Sequence, residues 1–178
     1  MEYTKTDIDR ALRLSGAEGK QIVREQDFSG HGTSVLGIAA GNGRASGGVN
    51  RGVAYTSDII AVKMGMPGEN SFPRTAELMQ GVDYLVRQAA ELGRPMAVNI
   101  SFGNNYGSHR GDSLLETYLS NVSDAGRTVI CVGTGNNGND SVHTAGILET
   151  GMQAEIPFSV SPRERYLMYS CGNLTQMK

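Results

Sequence analysis

The residue with the clearest chemical potential is His31, which opens a predicted helix over residues 31–41. Val35, Leu36 and Ile38 follow at spacings that predict one buried helical face. The positive end of a helix dipole disfavours the imidazolium form, so the ring is expected to stay neutral and able to accept a proton. An isolated histidine is more often a capping or core residue, and the neighbouring motifs must decide whether this one is a general base.

A second candidate is the glycine-rich segment at residues 133–138, GTGNNG, which follows a predicted strand. It matches G-x-G-x-x-G, the fingerprint of a dinucleotide-binding loop. That fingerprint requires a helix immediately afterwards, and residues 139–144 show no helical period. The alternatives are a plain glycine-rich turn and a loop in which the side-chain amide of Asn136 stabilises a developing oxyanion.

The elements around these residues alternate between strands and helices. Short apolar runs and helical periods predict, in chain order, a helix at 3–14, the helix at 31–41, a strand at 59–63, a helix at 74–93, a strand at 96–101, a helix at 112–126 and a strand at 128–132. Short apolar strands separated by helices pair in parallel, with both faces covered, and such sheets bind ligands at the carboxyl ends of their strands. Residues 15–30 are predicted to be a polar surface connection, and the alternation at 153–160 predicts β structure.

The 178-residue chain is long enough for about one domain, and its composition limits the classes of partner it can bind. With 16 basic and 18 acidic residues, the charge argues against nucleic acid or an anionic membrane as the main partner. The polar start is unlike a signal peptide, and no apolar run approaches membrane length. No carboxylate cluster predicts a metal loop, and no cofactor is expected. Cys131 and Cys171 are predicted to be reduced structural thiols.

The segment HGTSVLGIAAGNG at 31–43, with RGVA at 51–54 and the run at 59–63, closely resembles the histidine block of subtilisin-like serine proteases, the subtilases. The resemblance implies that His31 is the general base and that Asn136 donates to the oxyanion, which we favour over nucleotide binding. It also implies that a polypeptide substrate is held in extended form. The substrate-binding residues it implies are Ser71, Phe72, Ser101, Phe102, Gly103 and Gly135.

Two members of the subtilase triad lack their expected settings in this sequence. No Asp ends an early apolar strand, and we interpret Asp27, four residues before His31, as a turn residue. The segment Gly32-Thr33-Ser34 imitates the nucleophile block but belongs to the histidine block. The resemblance therefore implies a fragment of a serine endopeptidase that is inactive by itself. The alternatives are a pseudoprotease acting as a peptide-binding module, and a nucleotide-binding α/β domain.

Further segments, at 2–8, 72–75, 99–109 and 143–146, resemble the clostridial subtilases that include the Csp germination proteases of spores. This implies an α/β fold: a truncated three-layer core with a mostly parallel sheet and helices on both faces, plus the start of an inserted jelly-roll unit. The expected divisions are 1–30, an N-terminal helix and approach loop; 31–140, the core fragment; and 141–178, the insert. Exposed sheet edges favour association with itself or with missing parts of its precursor. If this resemblance holds, the location is cytoplasmic or spore-associated.

Overall fold

The computed structural model of the chain describes residues 1–64, 75–103, 109–140, 144 and 146–160. The elements in chain order are α1 (Lys5–Arg13), α2 (Gly16–Ile22), α3 (His31–Ala40), a single 3₁₀ turn (Arg44–Ser46), α4 (Thr75–Glu91), β1 (Met96–Ile100), α5 (Leu114–Asp124) and β2 (Thr128–Val132). The chain divides into two compact units, Met1–Ile59 and Ile60–Lys178. The first unit is helical, and the second combines helices with a small sheet.

The first unit begins with two short helices that pack through their backbones. Thr4 caps α1 in a capping box: Thr4 Oγ1 accepts from the Asp7 amide at 3.3 Å, and the Asp7 carboxylate accepts from the Thr4 amide at 2.8 Å. Gly19 of α2 is buried against the backbone of α1. A Cβ at this position would lie only 2.6 Å from the carbonyl oxygen of Ala11, so the two helices could not approach this closely with a larger residue. The predicted helix at 3–14 is confirmed, whereas α2 lies in the segment predicted to be a surface connection.

The end of α3 is closed by the chain that follows it. The Gly52 amide donates to the Gly41 carbonyl at 2.7 Å, and the Ala54 amide donates to the Ala39 carbonyl at 2.8 Å. These bonds satisfy carbonyls that a helix end leaves without an intrahelical partner. The predicted buried face of α3 is wrong, because no residue of α3 is buried and Ile38 is 75% exposed. The helix is therefore held at its ends within this unit.

In the second unit, β1 and β2 pair in parallel, with Met96 opposite Thr128 and Ile100 opposite Val132. This confirms the predicted parallel α/β arrangement. The helices α4 and α5 contact each other and cover one face of the sheet. The core comprises Leu78, Val82, Val98 and Ile100, surrounded by partly buried residues that include Leu115, Tyr118, Leu119, Val122 and Ile130.

The opposite face of this sheet is exposed in the described part of the unit. Ala97 and Asn99 alternate with buried residues along β1, and Val129 and Cys131 are exposed on β2. A parallel sheet is ordinarily covered on both faces, as the three-layer prediction requires. The second helical layer of that prediction is not found among the described residues of this unit. Cys131 is a free, exposed thiol, and Cys171 lies outside the described residues.

Two predicted β segments are not strands. Residues 59–63 are irregular, with Ile59, Ile60 and Val62 exposed, and residues 153–160 are irregular and exposed. An apolar run becomes a strand only when a neighbouring backbone completes its hydrogen bonds. Within the described ranges, no segment supplies that partner to either run. Next to the first run, Met64 packs against the core of the second unit.

Candidate active site

His31 is the first residue of α3, and its side chain is exposed. Gly30 precedes it as the N-cap in a left-handed conformation, with φ of 73°, which glycine adopts without strain. The His31 amide donates to Ser29 Oγ at 3.2 Å. The predicted start of the helix is therefore confirmed, and the imidazole lies where a helix presents its positive end to solvent.

The carboxylate of Asp27 holds this end of α3 with both oxygens. Oδ1 accepts from the Gly30 amide at 2.9 Å and from Ser29 Oγ at 3.1 Å. Oδ2 accepts from the Thr33 amide and from Thr33 Oγ1, both at 2.8 Å. The hydrogen bonds from Thr33, followed by those from Ser29 and Gly30, lower the pKa of Asp27 to about 2 from its ordinary value of 3.8.

These bonds confirm the interpretation of Asp27 as a turn residue. In the described part of the chain its hydrogen bonds go to Ser29, Gly30 and Thr33, so its carboxylate is occupied by the backbone turn before α3. Ser34 is likewise occupied, since its hydroxyl donates to the Gly30 carbonyl at 2.9 Å. This contact supports the view that Ser34 belongs to the histidine block and is not a nucleophile.

A second group of candidate residues lies at the carboxyl ends of β1 and β2. The Gly133 amide donates to the Ile100 carbonyl at 3.3 Å, so the two strands are still joined where their following loops begin. Residues 101–103 therefore start beside the loop that carries Gly135 and Asn136. The structure brings together these two predicted segments within the second unit.

Side chains at this edge are exposed and partly fixed. Asn99 Nδ2 donates to Ser101 Oγ at 2.9 Å, which links the end of β1 to the predicted substrate-binding residues that follow it. Gly135 has φ of 99°, a conformation that L side chains rarely adopt. Asn136 follows it with an exposed side chain. The edge thus exposes Asn136 and residues 101–103 to solvent.

The loop after β2 lacks the helix that a dinucleotide site requires. Residues 133–140 contain no helix; the Asn137 side chain donates to Asp140, and the Asp140 amide donates to the Asn137 carbonyl at 3.0 Å. A pyrophosphate on a G-x-G-x-x-G loop is bound by the N-terminus of the next helix. The turn at this position therefore argues against nucleotide binding.

The predicted site residues are assigned to the units as follows. His31 belongs to the first, whereas Ser101, Phe102, Gly103, Gly135 and Asn136 belong to the second. Ser71 and Phe72 lie outside the described residues. In the described ranges no group of three or more His, Cys, Asp or Glu side chains could hold a metal ion. None of the described helices has the length and apolarity needed to cross a membrane.

The chain is similar to known proteins of one family. The sequence model of the Subtilase family, Peptidase S8, matches residues 13–161. The solved structure of the Clostridium perfringens CspB protease is similar over 78% of this chain, with 41% identity and a TM-score of 0.68. The chain spans 29% of the length of that protease. The family match at residues 13–161 includes the histidine block, both strands and the loop with Asn136. We conclude that the chain belongs to the subtilase family of serine peptidases.

Proposed function

We propose that the protein containing this chain is a serine endopeptidase in which His31 is the general base and Asn136 is the oxyanion donor. The family match over residues 13–161 carries the proposal, because it spans both residues in the expected order. Two local features support it. His31 is exposed at the end of a helix, and Asn136 is exposed in the loop after β2.

In this mechanism a serine from another part of the protein attacks the carbonyl carbon of the scissile peptide bond. His31 accepts the hydroxyl proton as the Ser–C bond forms, and the Asn136 amide donates to the resulting oxyanion. The intermediate collapses when the C–N bond breaks and His31 protonates the leaving amine. Water then hydrolyses the acyl-enzyme by the same steps, with His31 again acting as base and then acid.

The substrate is proposed to bind as an extended peptide along the carboxyl edge of the sheet. Ser101, Phe102 and Gly103 form one wall, and Ser71 with Phe72 forms the other. Backbone groups hold the peptide while side chains select its residues. The exposed backbone after β1 and the glycine conformation at Gly135 support this placement, because both leave room for a peptide to approach the edge.

The proposed organisation has three parts: residues 1–30, the core at 31–140 and the start of an inserted unit at 141–178. The exposed face of the sheet, with Val129 and Cys131, supports association with other parts of the same protein or with a second copy. Size-exclusion chromatography with light scattering of the 178-residue chain tests the second possibility. A monomer at all concentrations would exclude self-association.

The test uses the full-length protein that contains this segment and a fluorogenic peptide library. His31→Ala should lower kcat by about a millionfold, because the triad acts as a unit. Asn136→Ala should lower kcat by about a hundredfold or more and change KM little, because the amide acts on the transition state. His109→Asn and Asn139→Ala are matched controls: both remove the same side-chain type from exposed positions, and Asn accepts the positive φ of His109.

The isolated 178-residue chain should not hydrolyse peptides, because it lacks a nucleophile in the expected setting. Turnover by this chain that disappears in His31→Ala would show that a nucleophile had been missed. A catalytically incomplete module that binds extended peptides is the second candidate. The engagement of Asp27 by the turn before α3 favours it, since no described carboxylate then orients the imidazole. Peptide binding without cleavage by the full-length protein would support this candidate and contradict the endopeptidase.

A further inference from the structure

The turn before α3 encloses the backbone of His31 from both sides. Gly30, directly before it, donates to Asp27 Oδ1 at 2.9 Å, and Thr33, two residues after it, donates to Asp27 Oδ2 at 2.8 Å. The His31 amide itself donates to Ser29 Oγ, whose hydroxyl donates to Asp27 Oδ1 at 3.1 Å. One carboxylate is therefore connected to the residue before His31, to the residue two places after it and, through one hydroxyl, to His31.

This arrangement replaces an ordinary helix cap. The N-cap of α3 is Gly30, which has no side chain and makes no side-chain hydrogen bond to the helix. The amides at a helix start must find acceptors outside the helix, and Asp27 supplies one to Thr33 from three residues before the cap. Its negative charge also lies at the positive end of the helix dipole.

Apolar packing contributes little to holding the start of α3. No side chain of α3 is buried, and Leu36 and Ile38 are among the exposed large hydrophobic residues. Since the backbone contacts with Gly52 lie at the other end of the helix, the direction of its first residue depends on the polar turn. The two carboxylate oxygens bind different sides of His31: Oδ1 accepts from Gly30 and Oδ2 accepts from Thr33.

We propose that Asp27 is a positioning residue for His31: its two oxygens fix the backbone from which the imidazole projects. The proposal rests on the proposed function for its catalytic consequence, since it assumes that His31 is the general base. Asp27 acts through the backbone and does not contact substrate. This role differs from that of the triad carboxylate, which binds the imidazole itself.

The first test uses NMR on the 178-residue chain and its Asp27→Asn and Asp27→Ala variants. Asn keeps one acceptor oxygen but places an NH₂ group where the second must accept, so it holds only one side of His31. Amide hydrogen exchange at Thr33 should accelerate about tenfold in Asp27→Ala, with a smaller change in Asp27→Asn. The 15N order parameter of His31 should fall in the same order.

Asp7→Asn is the matched control, because Asp7 is also a carboxylate that accepts a backbone amide at a helix start, in the capping box of α1. It should increase exchange at the start of α1 and leave Thr33 and His31 unchanged. Unchanged exchange at Thr33 and an unchanged His31 order parameter in both Asp27 variants would overturn the proposal.

The second test measures catalysis in the full-length protein under conditions in which circular dichroism shows all variants folded. Asp27→Ala should lower kcat by about tenfold to a hundredfold with KM unchanged, because a misplaced base slows the reaction without altering substrate contacts. Asp27→Asn should recover part of that loss. Equal kcat values in wild type and Asp27→Ala would overturn the proposal. A wild-type protein without peptidase activity would instead contradict the proposed function, and the NMR measurement would still decide whether Asp27 positions His31.

Discussion

In the first unit the buried positions are glycines, whereas among the described residues of the second unit they are apolar side chains. Gly19 and Gly52 are buried where two backbone segments touch, and capping bonds hold the ends of α1 and α3. In the second unit α4 packs against β1 through Leu78, Val82, Val98 and Ile100. The first unit is thus ordered by close backbone contacts and hydrogen bonds, and the second by removal of apolar surface from water.

The difference matters for how each unit presents its candidate residues. Asn136 and residues 101–103 follow strands that an apolar core supports, so their position depends on burial some distance away. His31 begins a helix with no buried residue, and its position depends on a few polar contacts within the same turn. Substitutions of apolar residues should therefore affect the second unit most, and substitutions of glycine or capping residues the first.

Removing a core side chain should have the largest effect on stability. Leu78→Ala should destabilise the second unit by about 3 kcal/mol, because Leu78 is only 8% exposed and its loss leaves a cavity. Leu114→Ala is the matched control on α5, where Leu114 is 76% exposed, and should cost less than about 0.5 kcal/mol. Urea unfolding followed by circular dichroism measures both; equal effects would show that the described core does not stabilise the unit.

In the first unit, the corresponding destabilising change is the addition of a methyl group where two backbone segments touch. Gly52→Ala should cost about 2 kcal/mol, because the new Cβ would lie 2.6 Å from the Gly41 nitrogen and 2.7 Å from the Gly37 oxygen. Gly16→Ala is the control, since nothing lies within 4 Å of its Cβ position. Amide exchange should increase at the carboxyl end of α3 for Gly52→Ala alone. A neutral Gly52→Ala would contradict the view that this contact orders the unit.

The sequence predicted elements well where a period or a capping residue marks them. Residues 128–132 form the predicted strand, and α1 lies within the predicted helix at 3–14. The helix α2 was missed because its sequence, GAEGKQI, has little apolar period and packs through Gly19. A glycine contact leaves no hydrophobic pattern to detect.

Other features depend on neighbours that no local pattern records. The apolar run at 59–63 has the composition of a strand, but strand formation requires a paired backbone. The apolar spacing in α3 was predicted to bury a face, and burial depends on which surfaces meet it. Sequence rules place a capping Asp at the N-cap itself, so they do not identify the cap by Asp27, because the N-cap here is Gly30.

Acidification should produce the smallest and most local effect on stability. It allows one capping carboxylate from each unit, Asp27 and Glu116, to be compared. Hydrogen bonds from Thr33 set the pKa of Asp27 at about 2, and those from Ser113 hold the pKa of Glu116 below its ordinary value of 4.5. A lowered pKa in the folded state means that the unfolded chain binds more protons between about pH 4 and pH 2. The stabilisation by Asp27 is therefore complete above pH 4 and is lost as the pH falls through about 2.

Carboxyl 13C NMR should give a midpoint of about 2 for Asp27, together with a shift of the Thr33 amide signal over the same range. The start of α3 should loosen there because no buried side chain of this helix resists it, while the amides of β1 remain protected by the apolar core. The Asp27→Asn variant should lack the transition at Thr33 and keep the titration of Glu116. Simultaneous loss of protection in β1 and at Thr33 would mean that the two units unfold together, and the contrast between polar and apolar ordering would then fail.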